Sequence, residues 1–257
     1  MRERLLSPLA LDFLWEALDA GDLPYPLEVT SHGATMDSRA MLRRRMRDEM
    51  VAGQLLDHTG RLEPQLEEWL GTIAQPDLSI DSVFLPDLNQ PAVTVLAASG
   101  RAGAVLAVQR PDGLLLRSIP PDGLVSAIVS MLPPAKRGTE TSISVPVEEL
   151  ARQPVAARAG GGGGERASVA ETRKALAKLT SLPNQRGGQL AVNIRTDMRG
   201  RRRSPVLSWF DNETGRYLTQ TRGSTDGNNW VTVAPADAAT LRQRLAEMIT
   251  QTTTDRR

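Results

Sequence analysis

The stretches SIPPDGLVSAIVSML (118–132) and VAPADAATLRQRLAEMI (233–249) are one junction written twice: a strand end, a proline, an aspartate two residues on, then a helix. Pro120 corresponds to Pro235, and Asp122 to Asp237. The cause is local, since proline forbids continued ladder pairing and pre-sets the first helical turn, while aspartate favours the positive helix end. Four strand-like segments precede each junction. The first set is DSVFLP, PAVTVLAASG, GAVLAVQR and GLLLRSIP, separated by DLNQ, GR and PDG; the second is GQLAVNIRTD, PVLSWFD, GRYLTQT and NNWVTVAP. Their spacers carry turn chemistry, so each set reads as an antiparallel meander. The expected fold is α+β, with a central antiparallel β-sheet built from two pseudo-two-fold related β-meander-plus-helix halves and flanked by α-helices. Joining the meanders edge to edge removes two exposed sheet edges. The halves fall at 1–135 and 136–257, together one globular unit.

Before the first meander the period is helical. Ser7-Pro8 is a cap and first-turn pair, and Leu11, Leu14, Trp15 and Leu18 recur at helical spacing, predicting a helix over 8–20. A second helix from about Asp37 stripes Leu42, Met46 and Met50, with Arg43, Arg44 and Arg47 turned to solvent. A third, from about 62, carries Leu62, Leu66, Trp69, Leu70 and Ile73. Between the meanders lie a strand TSISVPV, an alanine-rich helical stretch from about 146, the glycine-rich segment 159–165 and a helix ERASVAETRKALAKLTSL. Strands such as AVLAV and VLSWF are apolar on alternate and intervening positions alike, so both sheet faces need covering, by the chain's own helices or by a partner, a second copy included.

Several chemistries are excluded or disfavoured. The 257 residues contain no cysteine, which rules out disulfides, thiolate metal sites and cysteine nucleophiles. Asp12 and Glu16 interrupt the first apolar stretch, MRERLLSPLALDFLWEALD, which therefore reads as a helix of the mature chain and not as a signal peptide. No apolar run approaches the roughly 20 residues of a membrane span, and a cytoplasmic location is expected. The formal net charge of +1 argues against a dedicated nucleic-acid surface. Lysine occurs only at 136, 174 and 178, an arginine bias typical of GC-rich coding sequence, as in actinobacteria.

In EVTSHG (28–33), Ser31 adjoins His32, one of two histidines. A nucleophilic site also needs an oriented base, a buried carboxylate and oxyanion donors, and no G-x-S-x-G elbow occurs, so the segment reads as a turn. His58 lies at a helix exit, and two histidines without cysteine make a poor metal site. No catalytic residue, metal site or cofactor is expected. Glu67 and Glu68 read as solvent-facing. The five glycines at 160–164 precede Glu165 and Arg166 where a phosphate loop needs Lys-Ser or Lys-Thr, and read as a connector. The arginine tip MRGRRRS, Arg199 to Arg203, reads as a solvated turn, with a nucleic-acid-binding or other protein-interaction module as its functional alternative. A hydrolase using Ser31 and His32 is the remaining alternative.

The stretches LSPLALDFLWEALDAGDLPYPLEVTSHGATMD, LSWFDNETGRYLTQTRG and NNWVTVAPAD, with the order of elements between them, resemble the EspG family of ESX (type VII) secretion-associated proteins over nearly the whole chain. That resemblance implies a cytosolic chaperone that binds the helical tip of the PPE subunit of a PE-PPE heterodimer, keeps it from self-associating and directs it to the secretion system. It also implies contacts from the loop after an early strand, which here is DLNQP, giving Leu88, Asn89 and Gln90 as partner-binding candidates. Arg222 and Trp230 of the second meander are further candidates, Trp230 having ordinary core as its competing reading. No membrane insertion is implied.

Overall fold

Caps and apolar stripes coincide at the start of the chain, and helices form there. The computed structural model describes residues 3–148, 172, 174–179, 181–196, 200–223 and 229–254. Helix α1 (Pro8–Leu18) starts where the Ser7 hydroxyl accepts the Ala10 N–H at 3.2 Å, and ends on Asp19 in the left-handed region. A reciprocal Thr35/Ser38 capping box opens α2 (Met36–Ala52), which buries Met46 and Met50, leaves Arg43, Arg44, Arg45 and Arg47 exposed and turns Arg39 inward. The Glu63 carboxylate takes the Leu66 N–H at 2.8 Å and opens α3 (Pro64–Ala74). Glu67 and Glu68 are exposed on it.

The residues before α1 correct the helical reading of the N-terminus. Glu3–Leu6 is a strand, β1, because Ser7 holds the extended conformation of a cap and stops the helix from running backward. It pairs antiparallel with β5 (Gly113–Ile119), where Gly113 has φ 141° and a Cβ would come 2.0 Å from the Leu6 carbonyl oxygen. The first meander is β2 (Leu78–Leu85), β3 (Val93–Gly100), β4 (Gly103–Arg110) and β5, with two-residue hairpins at 101–102 and 111–112. It feeds α4 (Leu124–Met131). Then come β6 (Ile143–Pro146), a helical segment at 174–179, β7 (Arg186–Arg195), a short β8 (Arg201–Arg203), β9 (Leu207–Asn212), β10 (Gly215–Gly223), β11 (Asn229–Pro235) and α5 (Ala238–Thr254). The glycine-rich segment, most of the alanine-rich stretch and Arg199 lie outside the described residues.

The sheet runs β1-β5-β4-β3-β2-β7-β9-β10-β11-β6, with β8 paired to β7, and every pairing is antiparallel. Each meander runs outward from a central seam, where β2 pairs with β7 from Leu78↔Ile194 to Leu85↔Gly187. The outermost strand of each meander is in turn covered by a short strand from earlier in the chain, β1 on β5 and β6 on β11.

The two junctions differ by one residue. Asp237 caps α5, its carboxylate accepting the Thr240 N–H at 2.8 Å and the Thr240 hydroxyl at 2.9 Å. The equivalent Asp122 does not cap: Gly123 occupies the cap of α4 without a side-chain bond, after a turn closed by its N–H on the Pro120 carbonyl. The expected pairing of these aspartates thus holds in sequence and fails in chemistry, because the second proline, Pro121, is accommodated in a turn ahead of the helix.

One sheet face carries a core that crosses the seam. Ile80, Phe84, Val95 and Leu106 of the first meander join Leu190, Leu207, Trp209 and Leu218 of the second under α4 and α5. On the other face, Leu96, Val105, Leu114 and Leu116 pack under α1, α2 and α3, while Tyr217 and Val233 form a separate small cluster with Leu179. Two-sided burial therefore holds for β4. It holds less fully at VLSWF, where Leu207 and Trp209 are buried but Phe210 is half-buried and Val206 is 37% exposed.

Candidate partner interface

The segment that suggested a serine–histidine pair is a knot between α1 and α2. Asp12, 6% exposed, accepts the His32 backbone N–H at 2.7 Å and lies 3.1 Å from its Nδ1. Arg39 grips the same carboxylate with both terminal nitrogens, reaches Glu16, donates to the His32 carbonyl at 2.6 Å and to the Ser31 hydroxyl at 3.1 Å, and lies 4.8 Å over the Phe13 ring. Burial pushes the Asp12 pKa up, but the hydrogen bonds from Arg39 and His32 outweigh it and hold the carboxyl below its ordinary 3.8. Bonding to Asp12 raises the Arg39 pKa further. The Ser31 hydroxyl therefore bonds a cation and the His32 ring faces a carboxylate, so the two are not arranged as nucleophile and base. The turn at 57–61 is similarly self-contained: Asp57 accepts from the Thr59 hydroxyl, the Arg61 N–H and the Thr59 N–H, which lowers its pKa to about 2.

FDNETGRY, in the second motif region, is a buried staple. Arg216 forks onto Asp211 at 2.7 and 2.8 Å, with both side chains 3% exposed, while Arg186 takes a third position at 3.1 Å. Arg216 also lies 4.4 Å over the Trp209 ring and donates to the Pro133 carbonyl at 2.7 Å. Its backbone receives the chain at 136–138, and the Tyr217 hydroxyl accepts the Glu140 N–H at 3.1 Å. The segment leaving the first meander is thereby tied to the second.

Arg201 and Arg203 of the arginine tip are exposed, as expected, but Arg201–Arg203 is a strand and not a turn, and both of these arginines have partners. Arg203 forks onto Asp81, a 3% exposed carboxylate in the middle of β2, and Asn193 donates to the same carboxylate at 2.7 Å. Arg203 also lies 5.2 Å from the Tyr25 ring centroid, and Arg201 donates to the Ala74 carbonyl at 3.1 Å. Arg201–Arg203 thus closes the polar side of the seam. Sequence reasoning missed Asp81 by taking it as the first residue of its strand; a carboxylate mid-strand between apolar neighbours needs a cation, and the arginine run was the available source.

The partner candidates are exposed but lie apart. Leu88, Asn89 and Gln90 occupy the β2–β3 loop, where Asp87 accepts the Asn89 N–H at 2.9 Å and Leu88 is 60% exposed beside the 39% exposed Leu85. Trp230 is 40% exposed, which overturns its reading as ordinary core. It pairs across β11 with Arg222 and Pro146, and strand alternation puts it on the face of Ala234, toward α4 and α5. The Arg222 side chain is outside the described residues. Leu85 shares a row with Gly187, Phe210, Tyr217 and Pro235, so Trp230 stands four strands over and five residues back, about 19 Å across and 17 Å along the sheet. The loop and the tryptophan mark two separate exposed positions.

Among the described residues no helix is long and apolar enough to cross a membrane, and no group of three His, Asp or Glu side chains is placed to hold a metal.

Comparison with known proteins gives one family and one fold. The family model described as the EspG family matches residues 7–247. Among solved structures, one is described as "Structure of the Mycobacterium tuberculosis type VII secretion system chaperone EspG5 in complex with PE25-PPE41 dimer"; it is similar at TM-score 0.61 and 13% identity, over 96% of each chain. No match was found among curated proteins.

Proposed function

The chain belongs to the EspG family, and from that premise we propose that it is a cytosolic chaperone of a type VII secretion system that binds PE-PPE heterodimers and is not an enzyme. The family match carries this reading. Its support from the fold is the match along 96% of a chaperone chain described in complex with a PE-PPE dimer. The chaperone grips the helical tip of the PPE subunit, whose apolar surface otherwise drives self-association, and hands the pair to the secretion machinery.

Leu88, Asn89 and Gln90 on their projecting loop, and Trp230 with Arg222, are the proposed contacts. A standard interface buries about 800 Å² on each partner, and an exposed tryptophan is an anchor type that such interfaces favour. The chain divides at 135/136 into two related halves held as one unit, so the client meets a rigid surface. Co-expression with PE-PPE pairs encoded beside its gene tests the reading: a soluble complex that co-elutes in gel filtration is expected, and free, aggregating client in its presence refutes it.

A further inference from the structure

Between α1, α2 and the turn at 55–62 lies a cleft of about 780 Å³, lined by neither Leu88 nor Trp230. Its floor is apolar, made by Phe13, Leu14, Leu18, Met50, Leu56 and Leu62. Its charged lining is three guanidiniums, Arg43, Arg47 and Arg61, against two carboxylates, Glu16 and Glu67. Arg43 bonds Glu16, which Arg39 also engages, whereas Arg47 and Arg61 form no ion pair among the described residues. The wall is rigid where it matters: the Asp57 carboxylate cages the turn, and Arg47 packs against Gly60, where an added Cβ would lie 3.0 Å from the guanidinium.

The volume selects the class of ligand. It falls within the range of about 300–1,000 Å³ of small-molecule sites. An apolar floor with unpaired guanidiniums at the rim is complementary to an aliphatic chain that ends in a carboxylate. We infer that this cleft is a binding site for an amphiphilic carboxylate, with the chain on Leu14, Leu18 and Met50 and the head group between Arg47 and Arg61.

Calorimetric titration of the full chain with decanoate and, separately, with decyltrimethylammonium is the test. Decanoate is expected to saturate one site, and the cation of the same chain length is not. The R47Q/R61Q variant is expected to lose at least about tenfold in decanoate affinity. A17W, at an exposed α1 position lining the cleft, is expected to abolish binding while leaving the melting temperature unchanged. Equal binding of both amphiphiles, no saturable binding, or decanoate affinity unaltered in a folded A17W overturns the inference.

Discussion

The two faces of the sheet solve the same problem differently. Under α4 and α5 the apolar core passes without interruption from β2 into β7 and on to Trp209, so the two meanders share one interior. On the opposite face the α1–α3 core and the Tyr217 cluster are separate, and Asp81, Asn193 and Arg203 lie at the seam between the strands that bear them. Apolar contact is non-directional and welds; a forked ion pair is directional and fixes register. The first face therefore sets how strongly the halves cohere, and the second sets how they align.

Trp209→Ala strikes the shared core and is expected to cost about 3–5 kcal/mol, lowering a single unfolding transition seen by both circular dichroism and calorimetry. Two resolved transitions in that variant would show that the meanders cohere less than the common core implies. Arg203→Ala leaves Asp81 with Asn193 as its remaining side-chain partner among the described residues. Because Arg203 is partly solvated, the expected cost in denaturant titration is about 1–3 kcal/mol, with Arg203→Lys recovering only part of it. A neutral result would remove the polar seam from the account.

The duplicated junction provides an internal control. Asp237→Ala loses a real cap and should cost about 1 kcal/mol, whereas Asp122→Ala should fall within about 0.5 kcal/mol of wild type. Equal effects would mean the one-residue offset is unimportant. The smallest change in slope concerns the pH dependence contributed by Asp12. Its folded pKa lies below 3.8, so its contribution is fully present above about pH 4 and is lost as pH falls through the folded value. Asp12→Asn should flatten the acid limb of the stability–pH curve and leave the neutral plateau without a slope.

The doubled meander was legible because strand period, turn residues and the proline junction are local signals, and they agree with the sheet order. The capped start of α1 was legible for the same reason, whereas the Thr35/Ser38 box that opens α2 was not read from the sequence. The pairing of β1 with β5 was not, because four residues ahead of a capped helix carry no signal of a partner more than a hundred positions away. Nor was the Asp81–Arg203 pair, whose members are far apart in the chain and meet only once β2 lies beside β7. The family-like motifs are largely scaffold, since Asp12, Asp211 and Arg216 are buried in ion-pair networks; the exposed Trp230 is an exception within NNWVTVAPAD, and the exposed Leu88 lies outside all three stretches. The resemblance therefore marked the fold's fasteners and one proposed anchor, Trp230, in the same stretches.

Hydrogen exchange of the chain alone and bound to its PE-PPE client tests the division between scaffold and surface most directly. Slowed exchange confined to the 86–92 loop and the start of β11, with α1, α2 and the 211–217 staple unchanged, is the predicted result. Protection centred on α1 and α2, with the loop and β11 unaffected, would contradict it.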